Sequence, residues 1–188
     1  MKNSNSTLRL LGSLVALIGL VGLVAAVPAT AAKLSGKTVL TPNSDTVDAL
    51  ASLGVEVSTS GDAKLNQNGI VFPIASGKIV NDAGDTKIVH TGGLTFSGMG
   101  TALEVENFVL KIGKQNVLKA TIAGGDKITF ADLNVKKIKV KDKPDQVVVS
   151  NVTASLSKDG AKVLSETFGI DEDLKGAELG AIKSKVDL

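Results

Sequence analysis

The chain has 188 residues, of which 43% are hydrophobic and 21% are charged, and it contains no cysteine, no tryptophan and no tyrosine. Without thiols it can form no disulfide framework, cysteine-ligated metal site or cysteine nucleophile. A single histidine, His90, also excludes any site built on paired histidines. Five phenylalanines are the only aromatic residues, which leaves little material for a base-stacking or sugar-binding surface.

The first 31 residues have the pattern of a secretory signal peptide. Lys2 and Arg9 precede an uncharged stretch, Leu10–Val27, and a small-residue site, Ala29-x-Ala31, follows it. A positive segment, an apolar segment and a small-residue site in this order predict cleavage after Ala31. An uncleaved membrane anchor is the alternative, because the apolar stretch is just long enough to span a bilayer. We therefore expect the protein to be secreted or held in the cell envelope.

Residues 32–188 are predicted to form a single domain, and their 157 residues suffice for a core without covalent cross-links. Removing Lys2 and Arg9 leaves 19 basic residues against 19 acidic ones. A neutral chain lacks the basic footprint that nucleic-acid binding requires, so we expect no nucleic-acid partner.

Period-two hydrophobic alternation dominates the first half of this domain, with one helix. The helix is predicted at Ser44–Leu53, where Ser44 or Asn43 serves as the cap and Gly54 as the stop. Pro73 cannot donate a hydrogen bond to a neighbouring strand, so it belongs on an edge strand or at a bulge. The strands predicted here are Lys37–Thr41, Val55–Ser58, Ile70–Ile74, Lys78–Val80 and Thr86–His90.

In the second half the strands follow one another closely. The alternating apolar residues change from odd to even sequence positions at Lys136 and Lys137, which suggests a β-bulge. A second helix is predicted at Ala161–Phe168, ending at Gly169. The strands predicted here are Leu94–Phe96, Ala102–Val105, Phe108–Ile112, Val117–Ile122, Ile128–Leu133, Val147–Leu156 and Leu179–Leu188. About ten short strands at regular spacing with two short helices predict an all-β fold, an antiparallel β-sandwich.

Three blocks of sequence resemble the secreted bacterial HtaA-type family, which is associated with haem uptake. They are Phe72-Pro73-Ile74-x-x-Gly77, His90-Thr91-Gly92-Gly93-Leu94, and Leu156 to Ala161 followed by Leu164 and Phe168-Gly169. Leu53-Gly54-Val55 and Leu179-Gly180 also fit, so the similarity spans roughly Lys37 to Leu188. The resemblance implies a secreted or cell-envelope β-sandwich that in some relatives binds haem through an axial tyrosine.

This chain has no tyrosine, so His90 is the one residue that the resemblance carries over as a cofactor-binding candidate. As a ligand to haem or a metal it would have only Met99 or carboxylates as partners. The structural alternative is a histidine at the end of a strand, hydrogen-bonded to a neighbouring turn. We expect no cofactor and no metal site, with haem as the one cofactor that the resemblance leaves open.

A lysine row is the strongest charge feature, and it consists of Lys136, Lys137, Lys139, Lys141 and Lys143. Lys137, Lys139 and Lys141 are predicted to project from one face of a strand. They could bind an anionic cell-envelope polymer or phospholipid head groups. Alternatively, the row is a solvated face that prevents edge-to-edge pairing of strands.

No Gly-x-Ser-x-Gly motif marks a nucleophile, so we expect no enzymatic activity and no catalytic residues. The sequence therefore predicts a non-catalytic binding or structural module of the cell envelope, monomeric or weakly associating. A haem or metal carrier of the HtaA type is the alternative.

Overall fold

A computed structural model describes residues 34–79, 85–135, 141–143 and 146–188, with the backbone alone for 141–143. Two α-helices, α1 (Ser44–Ser52) and α2 (Lys158–Phe168), accompany twelve β-strands in these residues. The strands are β1 (Ser35–Pro42), β2 (Glu56–Ser60), β3 (Lys64–Asn66), β4 (Gly69–Lys78), β5 (Thr86–His90), β6 (Gly93–Gly98), β7 (Thr101–Ile112), β8 (Val117–Ile122), β9 (Lys127–Val135), β10 (Lys141–Lys143), β11 (Gln146–Leu156) and β12 (Glu178–Asp187).

Eight of the strands close into a barrel-like ring of antiparallel neighbours. The order around the ring is β7, β5, β4, β1, β12, β11, β9 and β8, and pairing of β8 with β7 completes the circle. β6 extends from β7 and carries β2, while β3 pairs with β4 and β10 with β11. The all-β class is confirmed, but the expected β-sandwich is wrong in its architecture. Alternation shows only that one face of a strand is buried, which holds equally for a sandwich and a closed barrel.

Both predicted helices are present, and side-chain caps set where they begin. The Asn43 side chain accepts a hydrogen bond from the Thr46 backbone at the start of α1. In α2 the Ser157 hydroxyl accepts from the Gly160 backbone, so the helix begins at Lys158, earlier than the apolar pattern predicts. Gly169, in the left-handed conformation, ends α2 as expected.

Pro73 lies in a strand that is paired on both sides, so the expectation of an edge position is wrong. The expected bulge is present, but it follows Pro73 instead of lying at it. The pairing of β4 with β1 ends at Pro73, opposite Lys37. A register shift in the pairing of β4 with β5 follows between Ile74 and Ser76. The missing N–H of proline is therefore placed where the ladder to β1 stops.

The sequence pattern does not predict two further features of the strands. Ala102–Val105 and Phe108–Ile112 belong to one long strand, β7, which is interrupted by a register shift at Asn107. Asn107 has a positive φ of 54°, a conformation that asparagine tolerates better than most residues. β3 lies in a segment that is polar enough to resemble a loop. The suggested bulge at Lys136 and Lys137 lies outside the described residues.

The core consists of an aromatic part and an aliphatic part. Phe72 contacts Phe108, and Phe108 contacts Phe130, with ring centroids 5.3 and 6.0 Å apart. α2 packs Leu164 and Phe168 into this aromatic part. The aliphatic part contains Ile88, Leu110, Val147, Val152 and Val186, all of them fully buried. None of the helices in the described part of the chain is long and apolar enough to cross a membrane.

Close backbone contact fixes the position of α2 on the barrel. A side-chain carbon at Gly160 would collide with the carbonyl oxygen of Phe130 in β9. The Ser157 hydroxyl donates to the neighbouring carbonyl of Thr129. The glycine and the cap residue of α2 thus hold the first turn of the helix directly against β9.

We expect Gly160→Ala to lower the free energy of unfolding by about 3 kcal/mol, because neither the helix backbone nor the strand backbone can yield easily. Chemical denaturation monitored by circular dichroism measures this loss. Gly124→Ala is the control, since Gly124 has open space around it and a positive φ. That control should cost only about 1 kcal/mol, and equal losses in the two variants would contradict the packing account.

Candidate functional site: a buried histidine and an apolar groove

His90 lies inside the barrel, where a directed chain of hydrogen bonds holds it. The Nδ1 atom lies 3.0 Å from the carbonyl oxygen of Phe108, which can only accept, so Nδ1 carries the proton. Nε2 of the neutral ring then accepts from the Thr38 hydroxyl at 2.7 Å. Thr38 in turn accepts from the Ser184 hydroxyl at 2.8 Å. Both ring nitrogens of His90 therefore have partners within the protein.

Burial keeps the imidazole neutral. The pKa of His90 falls from 6.5 to about 4 because burial penalises the charged ring, and the hydrogen bond to Phe108 opposes this only in part. The cavity beside the ring has a volume of about 30 Å³, far below the roughly 300–1,000 Å³ of small-molecule sites. Its other lining residues are apolar except for Thr38. The barrel interior therefore has no room for a cofactor the size of haem.

A larger apolar groove lies at one end of the ring, next to α1, β2 and β3. Leu40 of β1 and Ile70 of β4, which face the interior of the ring, also line it. Its volume is about 530 Å³, within the range of small-molecule sites. Buried side chains form its floor, and they are Leu50, Val55, Ile70, Leu94 and Phe96. Val47 and Leu65, 42% and 71% exposed, stand at its rim.

The groove and the His90 cavity are neighbours with a shared wall. Leu40, Leu94 and Leu179 line both. These leucines separate the imidazole from the groove, and His90 does not line the groove. The sequence candidate His90 and the groove are therefore distinct parts of the structure.

The side chains that line the groove suit a flat apolar molecule, but they include no good ligand for iron. None of its lining residues is a histidine, methionine or lysine, and Glu56 is its only ionisable side chain. The Thr46 hydroxyl, another polar group of the groove, already donates to the Glu178 carbonyl. A haem placed here would find apolar contact for its ring, but neither an imidazole nor a thioether for its iron.

The predicted lysine row is only partly visible. Lys136, Lys137 and Lys139 lie outside the described residues, and Lys141 and Lys143 belong to the short strand β10. β10 pairs with β11 alone among the described strands. Whether the row binds an anionic surface stays a prediction. The described residues contain no group of three or more side chains that could hold a metal ion.

Comparisons with known proteins identify the class. The fold resembles the C-terminal domain of HtaA from Corynebacterium glutamicum, with a TM-score of 0.62, 15% identity, and coverage of 82% of this chain and 98% of that one. The N-terminal domain of the same protein gives a TM-score of 0.57, 14% identity, and coverage of 82% and 97%. The haem-binding protein HtaB from Corynebacterium glutamicum gives 0.51, 12% identity, and coverage of 82% and 93%. The fold is thus that of the HtaA and HtaB domains.

The family model HtaA (Htaa) matches residues 50–179, and the chain belongs to the HtaA family. The resemblance noted in the sequence is confirmed. No curated protein matches the chain. The expectation that the chain takes no cofactor is overturned, because its fold is shared with a structure described as a haem-binding protein.

The sequence could not reveal the groove. Leu65 and Ile70 lie on strands, whereas Leu50 lies on α1, and only the folded chain brings the three together. One signal was available: Leu65 is an isolated large apolar residue within a polar segment, which is unusual for a loop. That His90 binds a cofactor stays a prediction, and the structure places this residue in the interior hydrogen-bond chain.

Lowering the pH should reduce the free energy of unfolding because His90 is buried in its neutral form. Because the folded-state pKa lies below the ordinary value of 6.5, the unfolded chain binds the proton first as the pH falls. The stabilisation is complete above pH 6.5 and is lost toward pH 4, by about 3 kcal/mol in all. We expect the difference in unfolding free energy between the native protein and His90→Gln to shrink by that amount between pH 7.5 and 4. Titration of the carboxylates affects both proteins equally. A difference in unfolding free energy that does not change with pH would therefore contradict the conclusion that His90 is buried and neutral.

Proposed function

We propose that this chain is a non-catalytic binding module that takes up haem in the apolar groove. The groove itself carries the proposal, because two large apolar side chains, Val47 and Leu65, remain exposed at the rim of an apolar floor. Exposed apolar surface that surrounds a concave site is typical of ligand binding. The likeness to HtaB, described as a haem-binding protein, supports haem as the occupant.

Binding through the groove would depend on the macrocycle and not on the metal. Haem brings a flat apolar ring and an iron that seeks an axial ligand, and the lining residues of the groove satisfy only the ring. No lysine or arginine lines the groove to pair with the propionates, which would face solvent. A site of this kind suits a carrier that passes its ligand on, because no iron–protein bond must break.

The non-catalytic part of the proposal rests on the single imidazole. His90 is the natural general base in a chain without cysteine, and it is buried with Nε2 accepting from Thr38. A substrate in the groove would be separated from it by the leucines that the two cavities share.

Titration of residues 32–188 with haemin and with metal-free protoporphyrin IX tests the proposal. We expect both to bind one per chain, with dissociation constants that differ less than about fivefold, since apolar contact scales with the area removed from water. Val47→Glu with Leu65→Glu should weaken both ligands at least tenfold by placing charge at the rim. Failure of both ligands to bind would overturn the proposal.

Met99→Glu is the matched control, because Met99 is 72% exposed and does not line the groove. It should leave the affinity for both ligands unchanged. A loss of haemin binding alone in this variant would instead identify the Met99 thioether as an iron ligand.

We also propose that the protein is exported, on the support of the leader pattern at its N-terminus. Mass spectrometry of the protein from the envelope or the culture medium should find an N-terminus at Ala32 or Lys33, because Ala29-x-Ala31 is the small-residue site. Intact Met1 in a membrane fraction would show instead that the leader is retained as an anchor.

A further inference from the structure

Lysines of β12, β1 and β3 share one outer face of the sheet, with β4 between β1 and β3. Lys37 of β1 lies directly opposite Lys185 of β12. Lys183 lies two residues from Lys185 on the same face, opposite Val39. Val39 lies opposite Val71, and Val71 opposite Lys64 of β3. All four lysine side chains are exposed.

These lysines lack the carboxylates that would normally accompany them. Lys162–Glu166 is the one ion pair within the part of the chain that the structure describes. Asp187, the acidic side chain at the end of this face of β12, accepts a hydrogen bond from the Gln146 amide. Like charges at directly opposed positions on neighbouring strands destabilise a sheet, so Lys37 and Lys185 cost stability as they stand.

The same face contains a cleft of about 670 Å³, which we call the lysine cleft. Lys37, Lys183 and Lys185 line one side of it. Asn66 at the end of β3, with Gln67 and Asn68 of the β3–β4 turn, lines another. The cleft is thus equipped with ammonium groups for anions and with exposed amide side chains for hydroxyl groups. It is distinct from the apolar groove, with which it shares only Pro42.

We infer that the lysine cleft binds a phosphodiester-linked polymer of sugars or polyols. Lysines spread along a strip, about 5 Å apart across strands and about 7 Å apart along β12, suit a chain of repeating anions better than a single ion. Lysine binds phosphate as a point charge, so a face that holds phosphates does not require arginine. The sequence contains one arginine, Arg9, which lies in the leader segment.

A lipid bilayer fits this face less well than a polymer does. Surfaces that bind membranes place large apolar side chains beside their lysines, to enter the lipid. The large apolar side chains exposed in the described residues are Val47, Leu65, Met99 and Leu188, and none of them lines the lysine cleft. Leu65 faces the apolar groove, between two residues that alternate to the other side of β3.

The test compares three probes at low and at physiological salt: poly(glycerol phosphate), polygalacturonate, and vesicles of phosphatidylglycerol in phosphatidylcholine. We expect poly(glycerol phosphate) to bind most tightly. The triple variant Lys37→Gln, Lys183→Gln, Lys185→Gln should lose at least tenfold in affinity at low salt. The slope of log affinity against log salt should fall by about one for each lysine replaced.

A control triple, Lys127→Gln, Lys158→Gln, Lys175→Gln, changes the net charge equally with exposed lysines outside the lysine cleft. It should keep its affinity within twofold. Equal losses in both triples, tighter binding to polygalacturonate or to the vesicles, or no binding to poly(glycerol phosphate) would each overturn the inference. The melting temperature of Lys37→Gln gives a second measurement, since relief of the repulsion should leave it unchanged or raise it.

Discussion

The filled interior of the eight-stranded ring is the constraint on which the rest of the structure depends. A barrel of eight strands either fills with its own side chains or encloses one small ligand. Here Phe72, Phe108 and Phe130 pack against one another inside it. His90 lies there too, with both ring nitrogens bonded to the protein, beside a cavity of about 30 Å³. Any ligand of substantial size must therefore bind outside this filled interior.

The elements added to the ring provide the surfaces for binding. α1, β2 and β3 lie outside the eight-stranded closure and surround the apolar groove. β3 contributes to both candidate sites because its residues alternate between its two sides. Leu65 lines the groove, whereas Asn66 lines the lysine cleft. A strand of three residues thus separates an apolar surface from a cationic one.

Local features of the fold could be predicted from the sequence, and features that depend on distant pairing could not. The period of the apolar residues and the caps identified both helices and most strands, because these signals act within a few residues. Closure of the ring depends on β1 pairing with β12, which lies at the other end of the domain, and no local pattern encodes it. β3 was missed because its outward residues, Lys64 and Asn66, are those of a typical loop.

The candidate sites were less predictable than the fold. His90 was a candidate ligand because it is the single histidine. The orientation of its ring depends, however, on hydrogen bonds to Thr38 and Phe108, which are 52 and 18 residues away in the sequence. The lysine cleft combines residues of β1 and β12, which lie at opposite ends of the domain. No continuous run of lysines in the sequence therefore predicts it. The family blocks in the sequence predicted the family correctly, although the β-sandwich expected with it was wrong in architecture. One of these blocks contains Gly160, where the helix backbone is in close contact with β9.

The central claim is that ligand binds at the end of the ring, in the groove beneath α1, and not in the filled interior. Paramagnetic broadening of amide signals by bound haemin tests it directly, because the iron affects only nearby protons. β1 provides an internal scale, since Leu40 lines the groove and Ser35 lies about 17 Å further along the strand. We predict broadening at Leu40 and Val57 and sharp signals at Ser35 and Asp187. Broadening centred on Ser35 and Asp187, with the groove signals unchanged, would contradict the account.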